Sequence, residues 1–186
     1  MKRCAVLMSL LWVLPALAIE VAGINVADKV RVGASELVLN GAGIRTRVVF
    51  KVYVGALYLS EKKSNTADAL ALSGAKRVAL TLLRELSAQQ LGEALNDGIR
   101  ANSSAAEAEA LKPRIAELLS LFADGKKGDV ILLDYLPEAG TVVSLNGAAR
   151  GKPIQGEDFY RALLRIWLGD KPVDGDLKQG LLGRAQ

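Results

Sequence analysis

The 186-residue chain has no histidine, one cysteine (Cys4), and an aromatic content of only 5%. Without histidine there is no Ser-His-Asp or Cys-His nucleophile, no imidazole base and no imidazole metal ligand. With Cys4 alone there is no intramolecular disulfide and no thiolate zinc site. The 24 basic and 20 acidic residues are interspersed, and no basic run is interleaved with aromatics, so nucleic acid is not an expected partner. Repeats, low-complexity stretches and linker-like segments are absent as well. The apolar run from Cys4 to Ile19 is shorter than the ~20 residues a bilayer requires, and no basic stop-transfer cluster follows it.

That run reads instead as an export signal. Lys2 and Arg3 form the positive n-region, Ala5 to Leu14 the apolar h-region, and Pro15-Ala16-Leu17-Ala18 a cleavage site. The expected organisation is a signal peptide over 1–18 and one periplasmic domain over 19–186, with no stable membrane insertion after cleavage. Loss of Cys4 with the signal leaves a thiol-free chain, as suits an oxidising compartment.

The remainder alternates strand and helix signals. Ile19 to Val32 predicts one or two short strands, and Glu36 to Leu39 a strand entering an Asn40-Gly41 turn. Thr46 to Leu59, rich in Val, Phe and Tyr, predicts one long or bent strand, and Lys76 to Leu86 a buried one. Asn65-Thr66 caps a short helix ended by Gly74. Ser87-Ala88-Gln89-Gln90 is a capping box for a helix reaching about Ala101, with Leu91, Leu95 and Ile99 on one stripe. Ser104 caps another helix, in which Pro113 predicts a kink or restart near Leu111. Asp129 to Leu136 and Thr141 to Leu145 form a hairpin, and Asn146-Gly147 turns into a further strand. Glu157 to Leu168 and Asp174 to Leu182 complete the chain as helices. The fold class is α+β: an antiparallel sheet packed against a layer of helices.

The richest segment is Asn40-Gly41-Ala42-Gly43-Ile44-Arg45, running on to Lys51-Val52-Tyr53 and Tyr58. A guanidinium offers a carboxylate two parallel N–H donors, and a tyrosine adds a hydroxyl on a ring that packs against lipid. On an unbroken strand Arg45 and Tyr53 would share a face yet stand ~26 Å apart. They meet only if the chain turns or bulges between Thr46 and Phe50. Gly41 and Gly43 lack the third glycine and the strand-to-helix setting of a nucleotide loop. Arg47 and Lys51 read as rim charges, and Trp167, Phe159 and Tyr160 as core.

This segment, the capped helix at Ser87 and the helix from Phe159 to Gly169 resemble the chalcone isomerase-like superfamily, which includes flavonoid-forming isomerases, fatty-acid-binding proteins and exported bacterial relatives. The resemblance spans about Ile19 to Gly183. Leu39 to Arg45 is similar to the family's glycine turn and active-site arginine, and Lys51-Val52-Tyr53 with Tyr58 to its fatty-acid-binding branch. Where the isomerases carry a helix tyrosine and asparagine, this chain has Leu91 and Gly98. Where they carry a strand threonine, it has Tyr53. The resemblance therefore implies a lipophilic cleft with Arg45, Tyr53 and Tyr58 as ligand-binding residues, a fatty acid or other amphipathic small molecule as partner, and no cofactor. Two alternatives stay open: a cofactor-free isomerase or lyase acting on a carbonyl substrate, and an envelope interaction module without ligand.

Overall fold

A computed structural model describes residues 18–184. The expected export signal lies outside this range except for Ala18, which already belongs to the first strand. Among these described residues, nine strands and five helices follow in order. β1 (Ala18–Val21) and β2 (Ile24–Ala27) form a separate hairpin. β3 (Lys29–Val32), β4 (Ser35–Arg47), β5 (Phe50–Leu59), β6 (Lys76–Leu82), β7 (Val130–Leu136), β8 (Gly140–Leu145) and β9 (Ala148–Ile154) build a seven-stranded antiparallel sheet in sequence order. The helices are α1 (Thr66–Ala71), α2 (Ala88–Ala101), α3 (Ala105–Ser120), α4 (Glu157–Leu168) and α5 (Gly175–Leu181). Among the described residues no helix is long and apolar enough to cross a membrane.

The α+β architecture matches the expectation, and most helix ends fall where their caps put them. Ser87 and Gln90 complete both halves of the capping box, and the Asn65, Ser104 and Asp174 side chains accept from the first turns of their helices. α3 runs through Pro113 as one element instead of restarting near Leu111. Leu111, Ile115 and Leu118 on its inner face are buried, and this packing outweighs the lost backbone bond.

The main core lies between the sheet and the helices. α4 buries eight of its twelve residues there, including Phe159, Tyr160 and Trp167. The Tyr160 hydroxyl donates to Leu133 O at 2.9 Å, so this deeply buried phenol leaves no unsatisfied donor. A smaller core, under the β1–β2 hairpin, occupies the other face of the sheet.

Two predictions for the glycine segment need correction. Asn40-Gly41 does not turn, because β4 continues through it to Arg47. Its side chain and the adjacent glycines serve instead to dock α5. Asn40, 5% exposed, donates to Leu181 O at 2.7 Å and Lys63 O at 2.9 Å and accepts from Lys63 N at 2.6 Å. A Cβ at Gly41 would stand 2.1 Å from Gly180 O, so only glycine admits the α5 backbone this close. Thr46 to Leu59 is not one strand either. Val48-Val49 turns the chain, and β5 returns antiparallel along β4.

Candidate functional site

Two β-bulges decide what Arg45 faces. The first, between Leu39 and Gly41, inserts Asn40 as an extra residue and inverts the alternation of β4. Leu37 and Leu39 point into the smaller core, whereas Gly43, two residues before Arg45, faces Leu177 of α5. Arg45 therefore projects on the helix side. The second bulge lies between Arg45 and Thr46 and leaves Val52 extra on β5, so Val52 and Tyr53 both turn toward the helices. Arg45 and Tyr53 become direct cross-strand partners. The short connection thus supplies the proximity that a straight strand would deny.

Arg45 Cζ lies 5.6 Å from the Tyr53 ring centroid, within cation–π range. Its Nε is buried and has no hydrogen-bond partner among the described residues. An unsatisfied buried donor on a charged group is expensive; Arg165 Nε is likewise unpartnered among the described residues, but of the two arginines only Arg45 borders the cleft described next. Next along β4, Thr46 N donates to Asp174 Oδ2 at 2.8 Å, and Asp174 Oδ1 caps α5. The start of α5 is thereby tied to the arginine's strand.

Tyr53 is 4% exposed and sits beneath Arg45 instead of lining open space. Trp167 Nε1 donates to its hydroxyl at 2.8 Å, so the hydroxyl accepts there and retains its own proton for another acceptor. Burial pushes the Tyr53 ionisation up, with the Arg45 charge opposing that shift. Trp167, read from the sequence as core, is core that also orients this phenol.

Beside Arg45 two lobes that share part of their lining open between the hairpin tip and α2. The first, about 240 Å³, is lined by Val48, Phe50, Val52, Leu86 and Leu91 with Arg45, Arg47 and Arg84 at its rim. The second, about 320 Å³, has a more charged wall formed by Glu93, Asp97 and Lys171. Arg45, Arg47, Gln90 and Ala94 are common to both. Larger depressions of 520 and 500 Å³ lie along β4 beside Gly180 and between α2 and α3, but neither is lined by an aromatic side chain or an unpaired buried cation.

Leu91 and Gly98 both border the cleft. At Gly98 a Cβ would come within 2.7 Å of Ile166 Cγ2, so a side chain there requires Ile166 of α4 to shift. Tyr58 is not brought to this site. It differs from Tyr53 by an odd number of residues on β5, so it faces the smaller core with Val54 and Ala56. There it borders a separate depression with Arg77, whose guanidinium is held by Asp134 through two 2.6 Å bonds. Gln90 and Arg84 were not singled out from the sequence. In the sequence Gln90 reads only as a capping residue, and Arg84 acquires meaning only because its guanidinium lies 5.0 Å from the Phe50 ring.

A crystal structure of a fatty-acid binding protein from Arabidopsis thaliana superposes with a TM-score of 0.66 over 90% of this chain and 96% of that one, at 13% identity, which shows a shared fold. A search of curated proteins finds no match. The family model described as chalcone isomerase-like matches residues 18–183. This chain belongs to the chalcone isomerase-like family.

Proposed function

We propose that this chain is a non-catalytic, exported periplasmic binding protein for a fatty acid or similar lipophilic carboxylate. The observation that carries the reading is the buried, unpartnered Nε of Arg45 at the junction of the two lobes. A carboxylate there would satisfy Nε and a terminal guanidinium nitrogen together, in the two-bond geometry arginine favours. The acyl chain would run along Val52, Leu86 and Leu91 toward Phe50, burying apolar surface on both sides. Tyr53 would hold the guanidinium plane from below and donate its free proton to the headgroup when the lobes open. That the similar plant structure is a fatty-acid binding protein supports this choice of ligand class, and the signal-like N-terminus supports export.

Action as an isomerase would ask Tyr53 to give up its proton, and burial raises its ionisation above the ordinary range. Neither Leu91 nor Gly98 offers a polar group to hold a reacting carbonyl or its water.

The test is titration with a long-chain fatty acid and with the alcohol of equal length. Hydrogen bonds to a charged group contribute about 1.5–3 kcal/mol, so Arg45→Ala should weaken the acid by roughly 10- to 150-fold and leave the alcohol nearly unchanged. Equal affinity of Arg45→Ala and the unsubstituted protein for the acid would sink the proposal.

A further inference from the structure

The β4–β5 hairpin tip places three consecutive apolar residues in solvent: Val48 is 89% exposed, Val49 77% and Phe50 58%. Hairpin ends in a folded domain are normally polar, and an apolar cluster at a projecting tip marks a contact surface. The backbone gives a second, independent sign. Val48 adopts φ +60°, a left-handed conformation that a β-branched residue takes only under strain. Four two-residue turns join strands among the described residues, and those at Ala22-Gly23, Gly33-Ala34 and Asn146-Gly147 each place a glycine at positive φ. Val48-Val49 alone has none. Folding by itself would favour Asn or Gly at position 48, so the valine answers to something outside the fold.

The charges around the tip select the partner. From Leu37 to Ser60 the chain carries Arg45, Arg47 and Lys51 and no acid. Arg84 adds a guanidinium 5.0 Å from the Phe50 ring. Of the acids near the tip, Glu85 lies beside Arg84 in sequence, Asp174 is engaged by Thr46 N, and Glu93 and Asp97 line the second lobe, whose lining does not include Phe50. An apolar point with a basic collar matches an anionic bilayer: hydrocarbon takes the apolar residues while phosphates meet the cations.

We propose that the Val48-Val49-Phe50 tip docks this protein peripherally on an anionic phospholipid surface, with Arg47, Lys51 and Arg84 against the headgroups. Val48 and Phe50 also line the first lobe, so the docked tip opens that lobe toward the bilayer. The docking goes beyond the ligand proposed for the cleft and does not require it.

The experiment is flotation of the exported protein with phosphatidylethanolamine vesicles, with and without phosphatidylglycerol. Binding should need phosphatidylglycerol and weaken with salt. Val48→Asn combined with Val49→Ser should reduce the bound fraction on the order of tenfold, from the apolar area withheld from the bilayer. The same variant should unfold at no lower temperature, because asparagine tolerates the left-handed backbone. Lys51→Glu should also weaken binding, and only on the anionic vesicles. In a separate Val49→Trp protein, brominated lipid should quench the new fluorescence above the background of Trp167, the tryptophan of the mature chain. Vesicle binding equal in the turn variant and the parent, an unquenched Trp at position 49, or self-association that the turn variant abolishes would each overturn the proposal. Because Arg45 stays intact throughout, failure here is separable from failure of the ligand reading.

Discussion

The β8–β9 hairpin closes on Asn146-Gly147, with φ of 51° and 81°, whereas the β4–β5 hairpin closes on Val48-Val49, with φ of 60° at the first valine. Both are two-residue connections between antiparallel strands. In the first, every local choice serves the fold. Asn146 Oδ1 accepts from Val130 N at 2.8 Å and its Nδ2 donates to Asp129 Oδ1 at 2.9 Å, so the turn is also stitched to the start of β7. In the second, a β-branched side chain is strained and two valines are left in water. Proteins concentrate such local conflicts at functional sites, and this tip stands beside the cleft that holds Arg45.

The comparison can be broken most forcefully by exporting the valines. Asn146→Val with Gly147→Val puts β-branched residues at two positive-φ positions and removes both side-chain bonds of Asn146. Strain of order 1–3 kcal/mol per residue and about 1 kcal/mol per lost bond predict a loss of about 4–8 kcal/mol, read as a fall in the urea midpoint. If the variant is as stable as the parent, positive φ is not a penalty in this protein, and the strain argument at Val48 fails with it.

A smaller effect of opposite sign is expected at the other turn. Val48→Asn relieves the strain and should raise stability by about 1 kcal/mol, with no change in the steepness of the urea transition. A neutral or destabilising result would mean that Val48 makes a contribution within the fold that its exposure does not reveal.

The same pair of turns shows what could be read in the sequence. Asn-Gly occurs at 40–41 and again at 146–147, and the dipeptide favours a turn in both places. Only the second turns. At Asn40 the amide is claimed by Lys63 and Leu181, and Gly41 is required by the backbone of Gly180, all partners that the local pattern does not contain. The true turn, Val48-Val49, carries strand residues and no turn signal. Local chemistry did place the capped helices and the strand-rich segments, and with them the α+β class, because caps and alternation act between near neighbours. Arg45 was legible as a candidate from its residue type and its setting. Its placement against Tyr53 was not, since that depends on two bulges and a turn that only the paired strands define. Tyr58 was misgrouped for the same reason, as strand alternation sends it to the opposite face.

Acid titration gives the smallest test and separates the two turns by mechanism. The Asp129 carboxyl is held below its ordinary value, first by the backbone N–H of Lys126 and then by the Asn146 amide. A depressed carboxylate contributes stability that is complete above its unfolded pKa and is lost as pH falls through the folded value, here below about pH 4. Asn146→Ala removes the second donor and keeps the first, so it should flatten part of the acid-side decline in unfolding free energy. Val48→Asn should shift the whole curve and leave its slope unaltered, because among the described residues no titratable side chain hydrogen-bonds to that turn. Free energies of unfolding measured in urea between about pH 2.5 and 6 would show it. Parallel curves for Asn146→Ala and the parent would mean that Lys126 alone holds Asp129, and that the two turns differ in backbone strain and apolar exposure but not in electrostatics.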